Sequence, residues 1–218
     1  MNRMNNILNA ARLDAALVKP YFRSTCFTLL LPLVFTAINR SLFTSVSFAM
    51  CFIAMTSGYT FSIAEKNNMD RLFGILPVQK SSLVLGRYLF ILAMGLLALT
   101  VSLIGQSLVL RALGESVAFA DILTAALAGL FLFTLYTVFQ IPGYYRLGSI
   151  RGRVFMYIPV AGFLAILLFF RGPQTGSSAL AAALRSPASL AVFVIALTII
   201  MYAASIIASI RIVRQKES

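Results

Sequence analysis

Six long apolar runs dominate this sequence, and most of them contain no charged residue. A helix that crosses a bilayer needs roughly 20 mostly apolar residues. Unpaired backbone groups are excluded from hydrocarbon, so only helices or closed barrels span it, and runs without period-two alternation favour helices. We therefore predict an all-α polytopic membrane protein with a single transmembrane domain over residues 1–218. The six predicted transmembrane helices are residues 21–38, 41–64, 88–110, 122–145, 154–170 and 186–210.

The charge content supports this assignment. Only 11% of the residues are charged, whereas a soluble domain carries about 25%. The net charge of +12 does not form a basic patch, because the basic residues stand singly or in small groups between the apolar runs. That distribution is typical of membrane boundaries, so we predict membrane lipid as a partner and no nucleic acid.

The connections between the runs differ sharply in positive charge. Of the 18 Lys and Arg residues, 14 lie in the two termini and every second connection. The remaining four lie in the other connections and are Arg40, Arg111, Arg171 and Arg185. Because the richer side is normally cytoplasmic, we predict that the N- and C-termini are both cytoplasmic, which also favours six spans.

The first 20 residues are amphipathic, and the first apolar run starts too late for a cleavable signal peptide. One helical face carries Met4, Ile7, Leu8, Ala11, Ala15 and Val18. Leu13 and Leu17 fall outside that face. The pattern predicts an N-terminal interfacial helix over residues 1–20, lying on the inner leaflet. A cytoplasmic extension of the first span is the alternative.

The residue inventory excludes most catalytic chemistry. The chain has no histidine, its two cysteines lie inside apolar runs, and no acidic residue lies in the middle of a span. This disfavours an intramembrane enzyme and predicts no metal site and no cofactor in this chain. Residues 74–81 approach the G-x-x-x-x-G-K-[ST] phosphate loop, but Gln79 replaces its second glycine and Pro77 interrupts it. This segment is therefore not predicted to bind a nucleotide phosphate, and ATP would have to be bound by a partner chain.

The connection over residues 65–87 is too structured for a simple linker. Met69, Leu72, Phe73 and Leu76 recur at i, i+3, i+4 and i+7, which predicts a short amphipathic helix. Pro77 ends it, and Ser81 or Ser82 is positioned to cap the following helix. Such a helix, continuous with two spans, can transmit force from a soluble partner into the bundle. The alternative is a helix that only lies in the headgroups.

This connection resembles the signature of the ABC-2 family of transporter permeases, in particular its small six-span bacterial members. The similarity lies in Glu65-Lys66-Asn67, Asp70-Arg71, Leu76-Pro77-Val78 and Val84-Leu85-Gly86-Arg87-Tyr88-Leu89. Met69 departs from the tryptophan often found in the family, and Arg87 from its usual lysine. Length and predicted topology also agree with the family.

The resemblance implies that residues 65–87 form a coupling helix that docks on a separate ABC ATP-binding subunit. The implied partner-binding residues are Glu65, Asn68, Met69, Asp70, Arg71, Leu72, Phe73, Leu76 and Pro77. ATP and Mg would be bound by that partner ATPase subunit, and a second permease subunit, identical or related, would complete a dimer. The implied function is export of an amphipathic or lipophilic substrate across a bacterial cell membrane.

Polar residues inside the spans are candidates for a translocation path, because they are costly in a membrane and often functional. They are Ser57, Tyr59, Thr60, Ser102, Gln106, Thr137 and Gln140. Interhelical hydrogen bonding and packing of small residues is the alternative explanation, and we favour it.

Two other functions have a comparable length and span count. One is the substrate-capture subunit of an energy-coupled vitamin importer, but those proteins lack a Leu-Pro-Val motif in this connection. The other is a membrane immunity or structural protein that transports nothing.

Overall fold

The computed structural model describes residues 3–69, 79–159 and 187–215, and within them it contains helices and no β-strand. Two 3₁₀ segments, Lys19–Tyr21 and Gly152–Tyr157, join α-helices. The seven α-helices of the described residues are α1 (Arg3–Val18), α2 (Phe22–Asn39), α3 (Leu42–Thr56), α4 (Gly58–Lys66), α5 (Lys80–Ala112), α6 (Phe119–Arg151) and α7 (Pro187–Gln215). The predicted all-α fold is confirmed.

Four helical stretches are long and apolar enough to cross a membrane, and they correspond to predicted spans two, three, four and six. They are Leu42–Lys66, Lys80–Ala112, Phe119–Tyr157 and Ala191–Gln215. Helix α2 coincides with the first predicted span, and its shorter apolar part is Leu30–Asn39. Residues 160–186 lie outside the described residues, so most of the fifth predicted span is not described.

The helix that contains the third predicted span begins before that span. Helix α5 already starts at Lys80 and has 33 residues, which makes it about 50 Å long at 1.5 Å per residue. Gln79 occupies the N-cap position without a side-chain bond, so the predicted capping by Ser81 or Ser82 is wrong. The connection between α4 and α5 is thereby shortened to residues 67–79.

The region between the fourth and fifth predicted spans is helical, and the start of the fifth span needs correction. Helix α6 continues to Arg151, but Gly148 has φ 81° and ψ 177° and breaks it. That backbone conformation is open to glycine and strained for other residues. The fifth span was predicted as an α-helix from Val154, yet Gly152–Tyr157 is a 3₁₀ helix.

The N-terminal helix packs on the bundle through a face that the sequence analysis did not single out. Ala10, Asp14 and Val18 are buried, at spacings of one helical turn. Met4 and Leu8, on the face predicted to lie on the inner leaflet, are 72% and 43% exposed. That the helix lies on the leaflet remains a prediction, and the apolar pattern did not indicate the buried face with Asp14 at its centre.

The bundle core forms where α3, α5 and α6 pack together, with α7 against α6 and α1 against α5. Its largest fully buried side chains include Met50, Tyr88, Ile91 and Phe133. Gly129 lets α6 approach α3 closely, because a Cβ atom there would lie 3.0 Å from side-chain atoms of Met50 and Val46. The same glycine faces Leu99 of α5, whose side chain would lie 3.3 Å from the added Cβ, so the three helices meet closely here.

Candidate functional site

A cavity of about 500 Å³ opens where α4 ends and α5 begins. Helices α1, α4, α5, α6 and α7 all contribute to its wall. Five of its lining residues are charged, namely Asp14, Glu65, Lys80, Arg87 and Arg146. Glu65 and Lys80 stand near the two ends of the connection over residues 67–79, so both ends of that connection approach one charged cavity.

A buried ion pair forms one side of this cavity. Arg87 donates from Nε to Asp14 Oδ2 at 3.2 Å and from Nη2 to Asp14 Oδ1 at 3.1 Å. The side chains of Arg87 and Asp14 are only 9% and 4% exposed. Two parallel charge-assisted bonds fix orientation as well as distance, so the pair locks α1 to α5 in one register.

The same guanidinium also meets aromatic rings from two other helices. Its Cζ lies 4.7 Å from the ring centre of Phe61 on α4 and 6.0 Å from that of Tyr145 on α6. A cation over a ring face is attracted to it, most strongly when the cation is desolvated. Arg87 therefore contacts α1, α4 and α6 at once.

A second acidic residue of the cavity joins α4 to α6. The backbone N–H of Ser149 donates to Glu65 Oε2 at 2.9 Å. Ser149 follows the break at Gly148, where the regular helical hydrogen bonds are interrupted. The carboxylate thus supplies an acceptor for an amide at the start of a new helical turn, as an N-cap side chain does.

Tyr88, the neighbour of Arg87, joins α5 to α7. Its hydroxyl lies 2.7 Å from Ser205 Oγ and 2.8 Å from Ser209 Oγ. Ser205 donates its hydrogen to the Val138 carbonyl at 2.8 Å. Because a hydroxyl has one hydrogen, Tyr88 must donate to Ser205 and accept from Ser209. Tyr202 completes the contact by donating to the Tyr88 carbonyl at 2.7 Å.

We expect Tyr88→Phe to lower the free energy of unfolding by about 1 kcal/mol, since it removes the middle of a buried hydrogen-bond chain. Tyr59→Phe is the matched control, because Tyr59 is 55% exposed and should unfold like the unmodified protein. Titration of the micelle-bound protein with sodium dodecyl sulfate, followed by circular dichroism, measures both. Equal destabilisation by the two changes would contradict the assigned hydrogen-bond chain.

The residues predicted to bind a partner fall into two groups. Glu65, Asn68 and Met69 are described, and Asn68 has a left-handed backbone with φ 51°. Glu65 and Asn68 are exposed and Met69 is partly buried. Asp70, Arg71, Leu72, Phe73, Leu76 and Pro77 lie outside the described residues. Their role in partner binding remains a prediction.

Most residues of the predicted translocation path point into the bundle. Thr60, Ser102, Gln106, Thr137 and Gln140 are buried, and Ser57 is partly buried. The hydroxyls of Ser57, Thr60 and Thr137 donate to carbonyls of the preceding turn. Tyr59 alone of the set is exposed. These contacts favour a packing role for the three hydroxyls.

The two glutamines of that set make contacts between turns or helices. Gln106 Nε2 donates to the Ser45 carbonyl on α3 at 3.3 Å, and Gln140 Nε2 donates to the Tyr144 hydroxyl at 2.7 Å. Their Oε1 atoms are buried and have no hydrogen-bond partner among the described residues. Of the predicted set, these two side chains each keep a buried oxygen that can still accept a hydrogen bond.

Asp14 is the residue of the site that the sequence pattern did not reveal. It lies within an amphipathic helix, one turn from Ala10 and from Val18, on a face with several apolar residues. An acidic residue bordered by apolar ones at i±4 is the only sequence feature that could have indicated a buried carboxylate. Its partner Arg87 stands 73 residues away, beyond any local pattern.

Comparison with known proteins gives one clear result. Searches of curated proteins and of solved structures find no match. A scan against protein-family models matches the ABC-2 family transporter protein over residues 12–214, which is almost the whole chain. The match includes α1 from Arg12 onward and the five charged residues that line the cavity. The chain therefore belongs to the ABC-2 transporter family and is a membrane permease of an ABC-type transporter.

Proposed function

We propose that this permease exports an amphipathic or lipophilic substrate with energy from ATP, which is bound with Mg and hydrolysed by a separate ATP-binding subunit. The family match over residues 12–214 carries this proposal. Within it, the chain crosses a bacterial cell membrane six times, with both termini in the cytoplasm. The concentration of Lys and Arg in alternate connections supports this orientation.

The contact with the ATP-binding subunit is assigned to the connection over residues 67–79. Two observations support this. Its ends leave α4 and α5 at a cavity lined by charged residues, and the sequence places an amphipathic pattern between them. Asp70 and Arg71 supply polar contacts, whereas Met69, Leu72, Phe73 and Leu76 supply the packed face. Glu65, just before the connection begins, accepts a hydrogen bond from the Ser149 backbone N–H and so fixes the start of the connection against α6.

A second permease subunit completes the transporter in this proposal. Exposed apolar side chains on α2, α5 and α7, including Leu31, Leu97 and Ile199, are compatible with contact to a second subunit and to lipid. Of the polar residues in the spans, Gln106 and Gln140 are assigned to the substrate path, because their Oε1 atoms are buried without a partner in the described part of the chain.

Co-purification tests this function. The tagged permease, expressed with its genomic neighbours, is expected to retain an ATP-binding subunit in mild detergent. Asp70→Arg combined with Phe73→Ala should reduce the retained ATPase about tenfold or more, because hot-spot residues of an interface cost 2 kcal/mol or more each when truncated. Asp121→Arg combined with Phe119→Ala is the matched control. Those residues lie in the first turn of α6, at the end away from the residues that line the cavity.

Two outcomes would contradict the proposal. Full retention of the ATPase by the Asp70 and Phe73 variant would show that the connection is not the docking site. Absence of any ATPase from the unmodified permease would favour a capture, immunity or structural protein instead.

A further inference from the structure

We propose that Gly86, Arg87 and Tyr88 form a junction that makes α1, α4, α6 and α7 follow the first turns of α5 as one body. These three consecutive residues, here called the α5 junction, belong to the sequence motif that resembles the family signature, yet they make no contact that the proposed docking requires. Arg87 acts in it as a positioning residue, because it acts through its contacts with Asp14, Phe61 and Tyr145.

The first residue of the junction brings α1 against α5. A Cβ atom at Gly86 would lie 2.5 Å from Ala10 Cβ and 2.8 Å from the Ile7 carbonyl oxygen. Only a glycine allows this approach, since the Ile7 carbonyl belongs to the backbone and cannot rotate away. Helix α1 is therefore seated directly on the α5 backbone.

The second residue adds charge and aromatic contacts. Arg87 holds Asp14 of α1 through two hydrogen bonds and places its guanidinium against the Phe61 ring of α4 and the Tyr145 ring of α6. Separating α1 from α5 would break both of these hydrogen bonds and would remove the guanidinium from the buried Asp14 carboxylate. Such separation is strongly unfavourable, so the two helices move together.

The third residue extends the unit to the last helix. Tyr88 binds Ser205 and Ser209, and its carbonyl accepts from Tyr202. The rings of Tyr88 and Tyr202 also meet edge to face with centres 5.3 Å apart. Adjacent residues of α5 thus hold the first and the last described helices of the chain.

The position of the junction gives it a mechanical consequence. Arg87 is seven residues from Lys80, so it lies about 10 Å along the helix axis from the point where the connection over residues 67–79 meets α5. This inference rests on the proposed function: a push on that connection reaches α5 first. Through the junction, the same displacement reaches α1, α4, α6 and α7 without a further contact from the ATPase.

Spin-label distances in the permease–ATPase complex test the inference. Cys26 and Cys51 are replaced by alanine, and labels are attached to Leu8→Cys on α1 and Leu97→Cys on α5, both exposed positions. Spin-diluted complexes in liposomes are measured by double electron–electron resonance with and without ATP. We expect the α1–α5 distance to be the same in both states when the junction is intact.

Junction variants should uncouple the two helices. In Asp14→Asn and Arg87→Gln the distance is expected to change on adding ATP, with permease-dependent ATP turnover reduced about fivefold or more. The double variant Asp14→Arg with Arg87→Asp should restore an unchanged distance. Glu115→Gln is the control, because it neutralises the exposed pair with Arg40, whose side chains are 61% and 45% exposed.

The outcomes separate this inference from the proposed function. An ATP-induced change of the α1–α5 distance with the junction intact would overturn it, and this measurement needs no junction variant to fold. Junction variants whose α1–α5 distances and ATP turnover match those of the unmodified complex would also overturn it. If the junction only stabilises the fold, the α1–α5 distance in the variants will be the same with and without ATP. That result would also overturn the inference. If no ATPase binds the unmodified permease, the proposed function fails, and this inference with it.

Discussion

Asp14→Ala is expected to lower the free energy of unfolding by about 3–5 kcal/mol, because it leaves the Arg87 guanidinium buried without its carboxylate. The side chain of Arg87 is 9% exposed, so bulk water compensates little for the lost carboxylate. The ring contacts of the guanidinium with Phe61 and Tyr145 do not supply the opposite charge that Asp14 provides. Unfolding in mixed micelles, followed by circular dichroism over increasing dodecyl sulfate, measures the loss.

The exposed pair between Arg40 and Glu115 provides the matched control. Its atoms are 3.5 Å apart and its side chains are 61% and 45% exposed, and pairs of that kind contribute about 0–1 kcal/mol. Glu115→Ala should therefore unfold almost like the unmodified protein. If Asp14→Ala and Glu115→Ala shift the transition equally, the buried pair does not hold α1 to α5.

A double apolar variant separates stability from coupling. Asp14→Leu with Arg87→Met removes both charges and fills similar space, and replacements of this kind are often neutral or stabilising. We expect it to regain most of the stability that Asp14→Ala loses. The α1–α5 contact would then depend on packing alone, without the orientation that two parallel hydrogen bonds impose.

The amino-acid sequence was sufficient to predict where the four long apolar helices of the described residues occur. Uncharged runs of sufficient length have one outcome in a bilayer, since unpaired backbone groups are excluded from it. Their ends were harder to place. Hydropathy indicates where lipid ends, whereas α5 begins eight residues before the predicted span, at Lys80. The first turns of α5 contain the charged residues Lys80 and Arg87. A prediction from hydropathy alone therefore assigns these turns to the connection before the span.

The packing of α1 shows a second limit. Apolar periodicity identified the face with Met4 and Leu8 as the one toward the leaflet, but it could not identify the face that packs on the bundle, which has Asp14 at its centre. A pattern that treats every charge as exposed does not reveal a contact made through an ion pair. The missing information is Arg87, which stands 73 positions later.

The candidate site was predicted in part. The motif around Gly86 and Arg87 was recognised by resemblance, but its physical role requires knowing what lies beside each residue. Likewise, Thr137 and Gln140 are both polar and both buried, and the sequence treats them alike. Thr137 donates to its own helix, whereas Gln140 keeps an oxygen without a partner among the described residues.

Gly86→Ala is expected to release α1 from the bundle and to lower the free energy of unfolding by about 1–3 kcal/mol, the usual range for an overpacked contact. The added Cβ would stand 2.5 Å from Ala10 Cβ, 2.8 Å from the Ile7 carbonyl oxygen and 3.1 Å from the Ala11 amide nitrogen. Two of these three atoms are backbone, so no rotamer change relieves the contact and the helices must separate.

Gly105→Ala is the control on the same helix. There the added Cβ meets only a Leu33 methyl at 3.1 Å, the end of a flexible side chain. Because alanine is favoured over glycine in a helix by about 1 kcal/mol, this variant should be as stable as the unmodified protein or slightly more. Any difference between the two variants therefore reports the space beside the glycine and not its helix propensity.

Limited trypsin digestion distinguishes release of α1 from general destabilisation. Arg12 is exposed on α1 but protected from cleavage by helical structure, so release of the helix should speed cutting there at detergent conditions where the rest of the bundle is intact. Arg111, at the far end of α5, reports the bundle itself. Faster cutting at Arg12 alone is the expected result for Gly86→Ala. Equal acceleration at both sites would mean that the close approach at Gly86 stabilises the whole bundle and does not specifically seat α1.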